Sequence, residues 1–196
     1  MAALRQEFEH IGLAFVDGHL DFYDGESSPT GEAADMELAI LTGFGPSGLI
    51  DLAGSPPMIA PSDIIVMGFR DAEQAIAYGA PNPAILVPEM KLFDVQALRR
   101  LGGAKLGNEA AKQFEVKTQR FWLHLDLDVL DQDVLPAVDY QMPNGLSWDE
   151  VAHLIRPLLQ SPALIGLDVT IFNPVLDPDG YYAKQIVGFL TDVLQT

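Results

Sequence analysis

Near the middle of the chain, His124-Leu125-Asp126-Leu127-Asp128-Val129-Leu130-Asp131 sets one imidazole and three carboxylates into an otherwise apolar run. Burying an unpaired carboxylate is very costly, and two held close together repel unless a cation lies between them. A second stretch, Ala14-Phe15-Val16-Asp17-Gly18-His19-Leu20-Asp21, repeats the arrangement as a short apolar run ending in D-x-H-x-D. Oxygen ligands with a single histidine suit Mn²⁺, Fe²⁺ or Zn²⁺ better than Ca²⁺. The chain has no cysteine, so no thiolate is present to select copper. A strand running out into an acidic loop is the plainer but less favoured account of the central stretch, and a lone D-x-H is weak evidence. Two such endings make a metal-binding pair of motifs the stronger reading.

Strands must position these side chains. Phe121-Trp122-Leu123 leads into the first motif, and its Leu, Val and aromatic content suggests a buried strand. Alternation then predicts that His124, Asp126 and Asp128 share one face. Residues 11–16 read as a strand entered from the end of a helix over 2–10. Ile64-Ile65-Val66-Met67-Gly68 reads as a third strand, followed by Arg70 and Asp71, for which a surface ion pair is the simple account. Pro81-Asn82-Pro83 breaks the chain ahead of a short strand expected over 84–87. Residues 32–42 predict a helix stopped by Gly43, and 95–119 predict two helical halves around Gly102-Gly103. Ser147 followed by Glu150 forms a capping box that predicts a helix from Trp148 to Leu159. A last core strand over 163–169 and a closing helix over 182–194 complete the pattern.

Composition narrows the function classes. With 196 residues and 48% hydrophobic content, one domain with a sizeable core is expected. A net charge of −17 argues against nucleic acid or an anionic membrane as partner and leaves a small-molecule substrate. No apolar run reaches membrane-spanning length, the first ten residues lack signal-peptide character, and cysteine is absent, which fits a cytoplasmic protein.

Asp17-Gly18-His19-Leu20-Asp21, Ser28-Pro29-Thr30-Gly31, the stretch from His124 to Asp131, and Gly166-Leu167-Asp168 with Asn173-Pro174 resemble, in that order, the arginase/agmatinase (ureohydrolase) family. The resemblance runs from about residue 11 to the C-terminus. It implies a three-layer α/β/α fold with a mostly parallel sheet, shared with the deacetylase-like enzymes. It also implies a manganese site and hydrolysis of a non-peptide C–N bond in an amidine, guanidine or amide. The ligand set it implies is Asp17, His19, Asp21, Asp126 and Asp128. One ion would be held by Asp17, His19, Asp126 and Asp128, a complete set. The second would use Asp17, Asp21 and Asp126, but its histidine belongs to an N-terminal motif that has no counterpart in residues 1–12.

Departures from the family pattern shape the remaining expectations. Residues 1–196 correspond to the C-terminal two thirds of a single arginase-like domain, so the chain reads as a truncated member or a fragment. The strand over 163–169 would then have an open edge, inviting self-association or a homo-oligomer. The proton-handling histidine of the arginase branch falls on Ala34, and the glutamate that binds guanidinium falls on Ile171. Neither side chain can do that work. An ordinary arginase is therefore not expected; the alternatives are a C–N hydrolase of another substrate, a non-catalytic metal-binding relative, or a fragment that needs its N-terminal part.

Overall fold

Strand β1 (Gly12–Val16) is wholly buried and lies at the centre of a sheet. The computed structural model describes residues 1–195. Strands β2 (Ile64–Met67), β3 (Lys91–Phe93), β4 (Phe121–Asp126) and β5 (Leu164–Thr170) join it in the order β3-β2-β1-β4-β5, every pairing parallel. Parallel strands need crossover connections, and helices supply them: α2 (Glu37–Leu41), α3 (Ser47–Ile50), α4 (Ala72–Ala77), α5 (Pro83–Leu86), α6 (Val95–Leu101), α7 (Gly103–Lys117) and α8 (Trp148–Leu159), with α1 (Ala2–Glu7) ahead of the first strand and α9 (Tyr181–Leu194) after the last.

Side-chain alternation along β1 and β4 divides the core in two. Ala14, Val16, Leu123 and Leu125 pack with Leu106, Phe114, Leu154 and Leu158 from α7 and α8. Leu13, Phe15 and Val66 pack on the other face with Leu38, Met58, Ile59 and the partly buried Trp122. Helices and loops thus cover both faces, as a parallel sheet requires. This is the expected α/β architecture. No helix among the described residues is long and apolar enough to cross a membrane.

Several local expectations need correction. Residues 84–87 are not a strand. Asn82 caps a helical turn by accepting from the Ala84 backbone N–H, Pro83 occupies its first position, and the strand comes later, at Lys91–Phe93. The helix expected over 32–42 is divided: Asp35 accepts hydrogen bonds from Ser28 and Thr30, and a 3₁₀ turn at Ala33–Asp35 precedes α2. Strand β4 stops at Asp126, so Asp128 lies on a 3₁₀ turn (Leu127–Val129) and does not continue the strand alternation. The capping box holds as read, with Ser147 and Glu150 bonding each other's backbone N–H at the start of α8. At the sheet's edge, β5 is only half-buried, with Ile165 exposed.

Candidate metal centre

The chain runs from β1 outward through β2 to β3, and from β4 outward to β5 in the opposite direction. Where neighbouring parallel strands part this way, their C-terminal ends leave a crevice between diverging loops. Both acidic motifs open there. Phe15 pairs with His124 and Val16 with Leu125, and one further step of that register sets Asp17 beside Asp126.

Two groups of ligand atoms form, each with members within 4.8 Å of one another: Asp17, His19 and Asp128, and Asp17, His124 and Asp126. In the first, His19 Nδ1 lies 3.0 Å from Asp128 Oδ2 and 3.7 Å from Asp17 Oδ1. Asp17 Oδ1 also accepts from the His19 backbone N–H at 2.6 Å, and Asp128 Oδ1 accepts from Gly18 N–H at 3.1 Å. A Cβ at Gly18 would stand 2.5 Å from Arg70 Nη1 and 2.6 Å from the Asp128 carbonyl oxygen, so no larger residue fits between the two motifs. In the second group, His124 Nε2 lies 3.6 Å from Asp17 Oδ2. Asp126 accepts from Thr170 Oγ1 at 2.7 Å and from the Asp128 backbone N–H at 2.8 Å.

The charges are poised for a cation. Burial, and then the Asp17 charge, raise the pKa values of Asp21, Asp126 and Asp128. Burial would raise Asp17 too, but the charges of His124 and His19 beside it hold it well below the ordinary carboxylate range. Burial alone would lower the pKa of His19; its contacts with Asp128 and Asp17 overcome this and raise it to about 11. His124 rises to about 10 against the same burial, through Asp168 and Asp17. A divalent ion would neutralise this cluster, and the donor set of imidazoles and carboxylates fits Mn²⁺, Fe²⁺ or Zn²⁺.

Of the five residues expected as ligands, Asp17, His19, Asp126 and Asp128 come together in these two groups. Asp21 lines the same cavity of about 300 Å³ but belongs to neither group; its backbone is left-handed at φ 42°. Sequence reading left His124 out of the expected ligand set, although the alternation that set it on the Asp126 face was visible. Arg70 and Asp71 are not an ion pair. Arg70 donates to the carbonyls of Asp128, Leu130, Met142 and Pro143, pinning the loop after β4, while Asp71 accepts from Leu20 N–H beyond β1. The cavity wall includes Ala34, Glu37, Thr170 and Ile171, and the Tyr140 hydroxyl donates to Glu32 across its mouth. Ile171 has φ 69°, an outlier for a β-branched residue.

Comparisons with known proteins agree with this fold. The arginase from Brevibacillus brevis is 27% identical over 193 residues, covering 98% of this chain and 63% of that protein. The chain thus spans less than two thirds of that relative's length. The native arginase from Bacillus caldovelox superposes with a TM-score of 0.83 at 24% identity, over 100% of this chain and 64% of that one. The arginase from Bacillus subtilis superposes at 0.81 with 25% identity, over 98% and 65%. A model of the arginase family matches residues 1–194, the span that carries both acidic motifs and every strand of the sheet, and on that match the chain belongs to the arginase family.

Proposed function

We propose that this chain carries a metal-dependent site for hydrolysing a non-peptide C–N bond, in an amidine, guanidine or amide other than arginine. The observation that carries the proposal is the meeting of Asp17, His19, Asp126 and Asp128 at the wall of one cavity, with His124 grouped beside Asp17 and Asp126, together with family membership. Asp17, His19, Asp126 and Asp128 would hold a divalent ion, for which Mn²⁺ is the first candidate and Zn²⁺ or Fe²⁺ the alternatives. When bound, such an ion lowers the pKa of water and polarises a planar carbon.

The chain's own residues account for the rest. Arg70 fixes the Asp128 turn, and Tyr140 with Glu32 narrows the entrance. Burial raises the pKa of the half-exposed Glu37 carboxyl, which lines the cavity three residues after Ala34 and is placed to accept a proton where the family uses histidine. Ile171 presents a hydrocarbon to the substrate, which favours a small neutral group over guanidinium.

The test is a panel of amidines, amides, arginine and agmatine offered to the Mn²⁺-loaded chain. Turnover of a neutral amidine or amide, with urea release from arginine at least about a thousandfold below ordinary arginase rates, is expected. Arginase-like urea release would refute the specificity reading. A second reading, a metal-binding relative without hydrolysis, is favoured by the absence of a carboxylate at position 171; it holds if metal binds and no member of the panel turns over. Strand β5 lies at the sheet edge with its outer backbone groups available, which supports association between chains there. Light scattering that shows a monomer at high concentration would exclude it.

A further inference from the structure

We infer that His124 is the nitrogen ligand of a second divalent metal ion, held with Asp17 and Asp126 beside the ion of the His19 group. The inference rests on the metal-centre reading above and extends it to a residue outside the ligand set that the resemblance implies. His124 is 7% exposed, and its Nε2 has no hydrogen-bond partner among the described residues. That atom points into a ring of carboxylates: Asp17 Oδ2 at 3.6 Å, Glu37 Oε2 at 4.0 Å, and Asp126 within 4.8 Å.

The other ring nitrogen is committed. Nδ1 lies 2.6 Å from Asp168 Oδ2, while the second oxygen of Asp168 accepts from the Trp122 indole. A carboxylate on one nitrogen fixes the tautomer, with the proton on Nδ1 and the lone pair on Nε2, as for a metal-ligating histidine. Rotation is blocked. The Phe15 ring stacks on the imidazole at 4.5 Å, and the strand register sets His124 between Phe15 and Asp168. A lone pair facing carboxylates is repulsive unless a proton or a metal ion lies between them. A proton on Nε2 would be left buried without an acceptor within hydrogen-bonding reach. An ion satisfies the nitrogen and the carboxylates together. Two ligands of one ion at about 2.1 Å stand roughly 3–3.5 Å apart, so the 3.6 Å separation needs little closure.

Manganese stoichiometry by equilibrium dialysis, with electron paramagnetic resonance on the same samples, tests this. The unaltered chain should bind two Mn²⁺ with a spin-coupled signal. His124→Ala should bind one, uncoupled, and His19→Ala should lose the other. Asp168→Asn should weaken only the second ion, by about 10–100-fold. Should His124→Ala fail to fold, nitrogen hyperfine couplings from the unaltered chain grown with ¹⁵N-histidine decide the matter, with two coordinating imidazoles expected and one overturning the inference. A single ion that survives His124→Ala but not His19→Ala also overturns it, leaves the proposed function intact, and makes His124 a protonated substitute for the missing ion. No bound Mn²⁺ at all would defeat both readings.

Discussion

The two ligand groups share Asp17 but are built differently. The His19 group grows from a loop: Asp17 and His19 are two residues apart, their geometry is set by a local backbone hydrogen bond, and only Asp128 comes from afar. The His124 group is built on the sheet, with His124 and Asp126 on β4 and Asp17 just past the end of β1, and its orientation depends on Asp168 across the β4–β5 pairing. His19 is partly exposed with Nδ1 3.0 Å from Asp128 Oδ2, whereas His124 is buried with no hydrogen-bond partner at Nε2. A loop motif can be recognised from its spacing but can move. A strand-built site is rigid but needs the sheet register to be seen.

The sharpest way to break this comparison is to remove the shared residue. The resemblance makes both Asp17 and Asp126 common to the two ions, whereas the structure places Asp17 in both groups and Asp126 in the His124 group alone. Asp17→Ala is therefore expected to abolish Mn²⁺ binding at both, costing about 3–5 kcal/mol by stranding buried charges. Calorimetric titration measures it. One ion retained at near-normal affinity would show that the groups are independent.

The next largest effect should fall on one side alone. Arg70 holds the carbonyls of Asp128, Leu130, Met142 and Pro143, so Arg70→Ala frees the turn that delivers Asp128 to His19. Hydrogen bonds from a charged donor are worth about 1.5–3 kcal/mol each, and losing the set should cost roughly 3 kcal/mol of stability in urea denaturation. Metal affinity of the His19 group should fall with it. Equal weakening of the His124 group would mean that the two move as one unit.

Protons offer a gentler probe. In the metal-free chain, despite burial, the facing carboxylates raise the His19 and His124 pKa values to about 11 and 10, so each imidazole holds a second proton at pH 7, which on His124 stands at Nε2 where the ion would bind. Binding requires the neutral ring, so affinity should rise with pH toward 10, and loading should release about one proton per ligand histidine. Calorimetry in buffers of different ionisation enthalpy counts them. If His124→Ala releases as many protons as the unaltered chain, His124 is not a ligand.

How much of this could be read from the sequence follows from the same difference. Asp17, His19, Asp126 and Asp128 declared themselves because an acid after an apolar run is anomalous wherever the chain goes. Helix α8 was legible because Ser147 and Glu150 carry the start signal in four residues. The turn at 83–86 carried an equally local signal, Asn82 before Pro83, which the apolar content of residues 84–87 masked. His124 was visible on the correct face, but its partner Asp168 lies 44 residues away and is joined to it only by register. Asp128 was placed on the strand because alternation does not reveal where pairing stops; the 3₁₀ turn that redirects it is stabilised by Asp126 accepting from its backbone.

Asp71 gives the smallest and most local test, because it touches the His19 loop alone. Its carboxyl accepts from Leu20 N–H at 3.0 Å, its second oxygen is buried without a partner, and burial raises its pKa to about 6. The folded chain therefore binds this proton more tightly than the unfolded chain, whose aspartate titrates near 3.8. Stability from this group is fully present below about pH 4 and is lost as pH rises through 6. The full shift corresponds to about 3 kcal/mol, and relaxation around the carboxyl should reduce it to roughly 1–2 kcal/mol. Asp71→Asn keeps the acceptor for Leu20 and removes the titration. Denaturation of the Mn²⁺-loaded chain between pH 4 and 7 should accordingly show a flatter profile in the variant, with binding at the His124 group unchanged. Identical slopes would show that Asp71 ionises freely and that the His19 loop is more open to water than its burial implies.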